Sequence, residues 1–147
     1  MPERETIERA RKDKEEGKAP STQAGEFVRE EIHHVREGKH GARSAKQAIA
    51  IGLSKARRAG VRLPPPKGGK KSTRKNAARD TAQGRAHKNS RPSSRRAAAS
   101  LRKLKGEGRQ AASSRALSRQ AHSTARKRTA AQRSASARKA ARTRAAR

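Results

Sequence analysis

The chain contains no cysteine, no tryptophan and no tyrosine, and a single phenylalanine. Without cysteine there are no disulfides, zinc–thiolate centres, iron–sulfur ligands or thiol nucleophiles. With one aromatic there is no platform on which unpaired bases stack, as single-strand binders and RNA-recognition motifs require. Large apolar residues are also scarce. Ile, Leu, Val and Phe number 13 of 147, about 9%, and a highly charged chain under roughly 20% is expected to be disordered. The longest apolar run, Ala48-Ile49-Ala50-Ile51-Gly52-Leu53, is far short of a membrane span. The charged opening Met1-Pro2-Glu3-Arg4-Glu5 lacks the apolar stretch of a secretory leader, so none is expected. No phosphate-cradling, dinucleotide-binding or nucleophile-elbow motif occurs, and no catalytic constellation is visible; the chain does not read as an enzyme.

Positive charge is what the chain has in excess: 41 Lys+Arg against 12 Asp+Glu, a formal net charge of +29. It is unevenly placed. Residues 1–66 carry 15 basic and 10 acidic residues, a net of +5, and residues 67–147 carry 26 and 2, a net of +24. Pro64-Pro65-Pro66 forms a stiff boundary between them. The expected organisation is a charged N-terminal helix and linker over 1–25, a helical hairpin over 26–63 and a polybasic tail over 64–147. The fold class is mostly α with extensive disorder.

Residues 2–16 read as an exposed helix with Pro2 in its first turn and Gly17 at its end. Ile7 is its one large apolar residue, and Lys18–Gly25 reads as a linker. In 26–37, Val28, Ile32 and Val35 recur at helical spacing, with Phe27 at the edge of the stripe and Gly38 as the stop. Ser44 and Gln47 form an S-x-x-Q capping box for a second helix ending near Gly60. That helix places Ala45, Ala48, Ile49, Gly52, Leu53, Ala56 and Ala59 on one face, with Ala48, Gly52 and Ala56 as a groove for an antiparallel partner. Ile51 points to the opposite side, between Lys55 and Arg58. Unstapled domains below about 40 residues usually need help, so the hairpin is expected to be stabilised by a second copy of the chain or by nucleic acid.

The run Lys46-Gln47-Ala48-Ile49-Ala50-Ile51-Gly52-Leu53-Ser54-Lys55-Ala56-Arg57 resembles a family of small basic bacterial proteins with a K-Q-A-I-A-I-[AG]-L-S-x-A-R core. That family is an uncharacterised domain, some of whose members are labelled DNA-binding or plasmid-stabilisation-like. Lys55 stands where many relatives have an acid. The resemblance covers about 38 residues, implies a bacterial, nucleic-acid-related protein and carries over no catalytic residue. The tail has 20 Ala and 11 Ser among its bases, and by composition it resembles the tails of linker histones and bacterial histone-like proteins.

From Arg109 to Arg147 there is no Gly or Pro, and Ala and Arg favour helix, so this stretch could form one long helix; like-charge repulsion opposes it, and the expectation is disorder in low-salt water and partial helix on DNA. The candidate nucleic-acid-binding residues are Lys46, Arg57, Arg58, Arg62, Lys67, Lys70, Lys71, Arg74, Lys75, Arg95, Arg96, Arg102, Lys103, Arg115, Arg119, Arg126, Lys127, Arg128, Arg138, Lys139, Arg142 and Arg144. Small side chains keep the backbone slim, and bases every few residues can follow phosphates. The expected function is non-sequence-specific DNA binding and compaction by a small cytoplasmic, nucleoid-associated protein. An RNA-binding accessory of a ribosome-like assembly is the first alternative. A protein of anionic lipid surfaces is the second, opposed by the tail's lack of an apolar face. A helix-turn-helix reader would need a third supporting helix, for which no sufficiently hydrophobic segment is evident.

No metal and no cofactor is expected. His33-His34 and His40 read as surface residues, because neighbouring histidines on a helix point about 100° apart and no acid at matching spacing accompanies them. Glu30, Glu31 and Glu37 read as a solvated face.

Overall fold

The computed structural model describes residues 2–86 and 93–146, and among them every regular element is a helix. These are α1 (Arg4–Glu15), α2 (Pro20–Arg36), α3 (Ala45–Arg58), α4 (Lys71–Arg85), α5 (Ser94–Lys105), α6 (Ser114–Arg126) and α7 (Ala130–Ala145), with one 3-10 turn, Gln110–Ala112, before α6.

The first three helices end alike. Gly17, Gly38 and Gly60 take φ of +70°, +77° and +93°. In each case the glycine and the residue after it return their amide hydrogens to the last turn: Lys18 to Asp13, Lys39 to His34 and Val61 to Ala56, at 2.8–3.1 Å. This is the Schellman arrangement, which satisfies carbonyls the helix leaves open. The expected stops are therefore present, but α2 starts earlier than expected. Lys18–Gly25 is not a linker throughout, because Pro20 stands at the first helical position, where its missing N–H costs nothing. The extra turns bring Gln23 and Ala24 onto the buried face and move Phe27 from its edge to its centre.

α2 and α3 form the expected antiparallel pair. Ile32 and Val35 meet Ala48 at one end, and Ala24 and Phe27 meet Ala56 at the other. At the crossing, a methyl on Gly52 would lie 2.6 Å from Val28 Cα and 3.0 Å from the Phe27 carbonyl oxygen, so the backbones approach as closely as glycine allows. α1 lays Thr6 and Ala10 against α2, and Ala10 joins the cluster of Ala24, Phe27, Ala56 and Val61.

The tail returns to this bundle. α4 places Ala77, Asp80 and Gly84 against α3. Ala111 and Ala112 of the 3-10 turn enter the cluster of Ile32, Val35, Ala42 and Ala48, and Leu117 of α6 packs against it. Two main-chain hydrogen bonds tie the α2–α3 loop to the tail, Gly41 N–H to the Leu104 carbonyl (2.9 Å) and Ala42 N–H to the Gly108 carbonyl (3.0 Å). Arg36 Nε–H adds a bond to the Ala112 carbonyl at 2.9 Å. The apolar stripe expected to need a second copy or nucleic acid is thus covered by the same chain. Ile51 is half-buried on the side of α3 that meets α4.

Two expectations for the tail change. Its described residues are largely helical, which does not match extensive disorder. The stretch 109–146 is also broken rather than continuous (Arg147 lies outside the described residues). The breaks come from hydroxyl side chains, with no glycine or proline involved. Ser113 turns extended and its Oγ accepts the Ala116 N–H, and Thr129 and Gln132 close a full capping box. An N-cap fixes a new helix start wherever the backbone leaves helical angles.

Candidate nucleic-acid interface

The cations of the two ends of the chain are treated differently. In α1–α3, acids are abundant and take up the bases. Arg9 pairs with Glu26 at 2.7 Å, Lys18 with Asp13 and Glu16 at 2.7 Å, and Lys39 with Glu3 and Glu37 at 3.2 and 3.1 Å. The local charges shift accordingly. Hydrogen bonds from His34 and Lys39 hold the Glu3 carboxyl below its ordinary range, and those to Asp13 and Glu16 hold the Lys18 ammonium above its own.

The solvated face expected at Glu30, Glu31 and Glu37 exists only at Glu37. Glu30 and Glu31 are 4% and 0% exposed, because α1 and α3 close over that side of α2. Lys55 Nζ reaches both, at 3.2 and 2.7 Å. Burial pushes the Glu30 carboxyl up, but bonds from the Glu3 N–H, the Thr6 hydroxyl and Lys55 more than offset it and hold the group below the usual carboxylate range.

In the tail, Asp80 is the described acid that forms an ion pair, with Arg58 Nε at 2.8 Å, and it also accepts from Ser54 Oγ at 2.6 Å. The tail bases have almost no acids to meet, and helical spacing sorts them outward. On α4 the buried Ala77, Asp80 and Gly84 lie on one side, while Lys71, Arg74, Lys75 and Arg79 are exposed on the other. α6 repeats the division. Ala116, Leu117, Gln120 and Ser123 are half-buried, and Arg115, Arg119, His122 and Arg126 recur at i, i+4, i+7 and i+11 on the exposed side. That rail is roughly 16 Å long. Every described residue of α7 is exposed, and its Arg138, Lys139, Arg142 and Arg144 are spread around the helix.

Of the candidate residues, Lys46, Arg62, Lys67, Lys70, Lys71, Arg74, Lys75, Arg95, Arg96, Arg102, Lys103, Arg115, Arg119, Arg126, Lys127, Arg128, Arg138, Lys139, Arg142 and Arg144 are exposed. Arg58 is exposed but held by Asp80. Arg57 leaves the set. It is 7% exposed, and it donates to the Leu63 and Pro64 carbonyls, clasping the segment that leaves α3. Burial lowers the affinity of its guanidinium for the proton. Lys46, at the other end of α3, stays exposed. Arg79, Arg85, Arg133 and the rail member His122 are exposed as well, and helical spacing on α4 and α6 was the signal that would have found Arg79 and His122.

His34 and His40 are not free surface residues either: their side chains are 13% and 10% exposed, and they converge with Glu31. His33 is exposed.

Residues 13–67 match the model of a family of unknown function, DUF6496. The match spans the end of α1, all of α2 and α3 and the segment leading to α4, and stops before the tail helices. It supports an uncharacterised domain family over that stretch. No curated protein and no solved structure matches the chain. Among the described residues, no helix is long and apolar enough to cross a membrane.

Proposed function

We propose that the protein binds duplex DNA without base readout and compacts it, as a small nucleoid-associated protein of the histone-like kind. The observation that carries this reading is the outward sorting of cations that pair with no acid among the described residues, on α4, α6 and α7. The helices of residues 1–63 act as an anchor on which α4 and α6 are docked. A polyanion supplies the charge that the tail lacks, and release of its counterions drives binding. With one aromatic, and that one buried as Phe27, recognition of unstacked bases has no support.

Salt dependence tests the proposal. If ten tail cations contact phosphate, log K for duplex DNA falls with log[salt] at a slope of about −9. A slope shallower than about −3 overturns it. Competition between duplex DNA and structured RNA of equal charge identifies the partner, and preference for RNA replaces DNA with the accessory-protein reading. Cross-linking and sequencing of bound nucleic acid in cells is expected to give even coverage of DNA rather than peaks.

A further inference from the structure

We propose that Glu31, His34 and His40 form a binding site for one divalent transition-metal ion of the zinc type. The site is separate from the cationic helices. It lies where α2, the α2–α3 loop, the segment before α1 and Lys55 of α3 meet. One donor atom from each of the three residues lies within 4.8 Å of the others.

Four features of the site point to a metal ion. The first is the carboxylate itself. Glu31 is fully buried, and neither oxygen has a hydrogen-bond partner among the described residues. Its neighbours, Lys55 Nζ at 2.7 Å from Oε2 and His40 Nε2 at 3.3 Å from Oε1, stand close without hydrogen-bonding angles. A buried carboxylate left so exposes lone pairs that something must fill. Secondly, the charges do not balance. Glu30 and Glu31 are both buried and share one ammonium, Lys55. A further positive charge fits on the Oε1 side of Glu31, while Lys55 stays on Oε2.

Thirdly, both imidazoles are turned as ligands are. The Gly41 carbonyl can only accept, so His40 Nδ1 donates its proton to it at 3.1 Å and a neutral ring presents a bare Nε2 to Glu31. Two electron-rich atoms then face each other at 3.3 Å unless a cation lies between them. On a neutral His34 whose Nε2 donates to Glu3 Oε1 at 2.9 Å, Nδ1 is the bare nitrogen, and it lies 4.0 Å from Glu30 Oε1. A backbone carbonyl on one ring and a carboxylate on the other are the outer partners that fix the tautomer of metal-bound histidines. The fourth feature is scale. A tetrahedral zinc site with bonds near 2.0–2.1 Å has donor–donor edges of about 3.3 Å, the separation already present between Glu31 and His40. Two imidazoles and a carboxylate suit zinc and its neighbours better than magnesium or calcium, and leave a fourth position for water.

The test uses the full chain, stripped with chelator and titrated with Zn2+ against a competing chelator, and with Co2+ for its visible absorption. One Zn2+ per chain and a four-coordinate Co2+ band that Zn2+ displaces are expected. His34→Gln and His40→Gln are each expected to weaken Zn2+ binding more than about 100-fold, above the 10–100-fold typical of outer-shell changes. Glu3→Gln falls within that 10–100-fold range. His33→Gln, on the exposed side of α2, leaves binding unchanged. Circular dichroism confirms that each variant folds. Lack of one-to-one uptake, or binding that survives unchanged in the folded His34→Gln/His40→Gln double variant, overturns the proposal.

Discussion

Residues 1–63 and the helices after Pro66 solve the same problem, a surplus of positive charge, in opposite ways. In the first region bases meet acids, helices stop at left-handed glycines and even Arg57 is turned inward. In the second, bases meet solvent, and α6 and α7 begin at the Ser113 and Thr129 hydroxyls. The contact face is also reduced to alanine, glycine, one leucine and the ion-paired Asp80. Neutralised charge lets the first region pack on both sides of α2. Charge left unpaired restricts α4 and α6 to one packed face each and leaves α7 with none. The first region is built for position and the second for attraction.

The contrast predicts that stability and nucleic-acid affinity separate. Phe27→Ala removes the largest fully buried side chain and is expected to cost about 3–5 kcal/mol, read from urea melts. At temperatures where the variant is still folded, its salt slope on DNA should equal that of the parent. A slope that collapses with it would mean that the anchor itself is the binding surface. Gly52→Ala drives a methyl into Val28 and is expected to cost about 1–3 kcal/mol while leaving the tail's charge untouched. Acid should loosen the first region selectively. Glu30 is held below the ordinary carboxylate range in the folded protein, so its contribution is present at neutral pH. It is lost as pH falls from the unfolded value through the depressed folded one. Glu30→Gln should flatten that part of the pH–stability profile, measured by denaturant melts from neutral to acid. The smallest effect is on the rail of α6, where Arg119→Gln should change the salt slope by about 1 and stability very little.

Much of the first region was readable from its sequence because its signals are local. A glycine stop, a Ser44–Gln47 cap and a Val28–Ile32–Val35 stripe each declare themselves within a few residues. In the folded protein Gln47 also accepts the Arg43 N–H, one residue earlier than a standard box. The start of α2 was hidden because proline reads as a breaker unless it falls on the first turn. The docking of the tail was hidden because Ala77, Ala111, Ala112 and Gly84 carry little hydrophobic signal, and backbone closeness has no signature in composition. A methyl on Gly41 or Gly84 would overlap the main chain at Glu107 or Arg57. The capping box at Thr129 was legible by the rule that found Ser44. The convergence of Glu31 and His34 with His40 was not, since the third member arrives from beyond the helix end and the burial of Glu31 depends on α3.

Cores in which alanine outnumbers the larger members Phe27, Ile32, Val35 and Val61 have a thermodynamic consequence. Helices that touch backbone to backbone gain cohesion from dispersion and main-chain geometry while withdrawing little hydrocarbon from water. The heat capacity of unfolding scales with exposed apolar area, so it should fall below the usual 12–15 or so cal/mol/K per residue. The urea dependence should be correspondingly shallow. The anchor then has a broad, flat stability curve, changing little with temperature over the range in which the chain works.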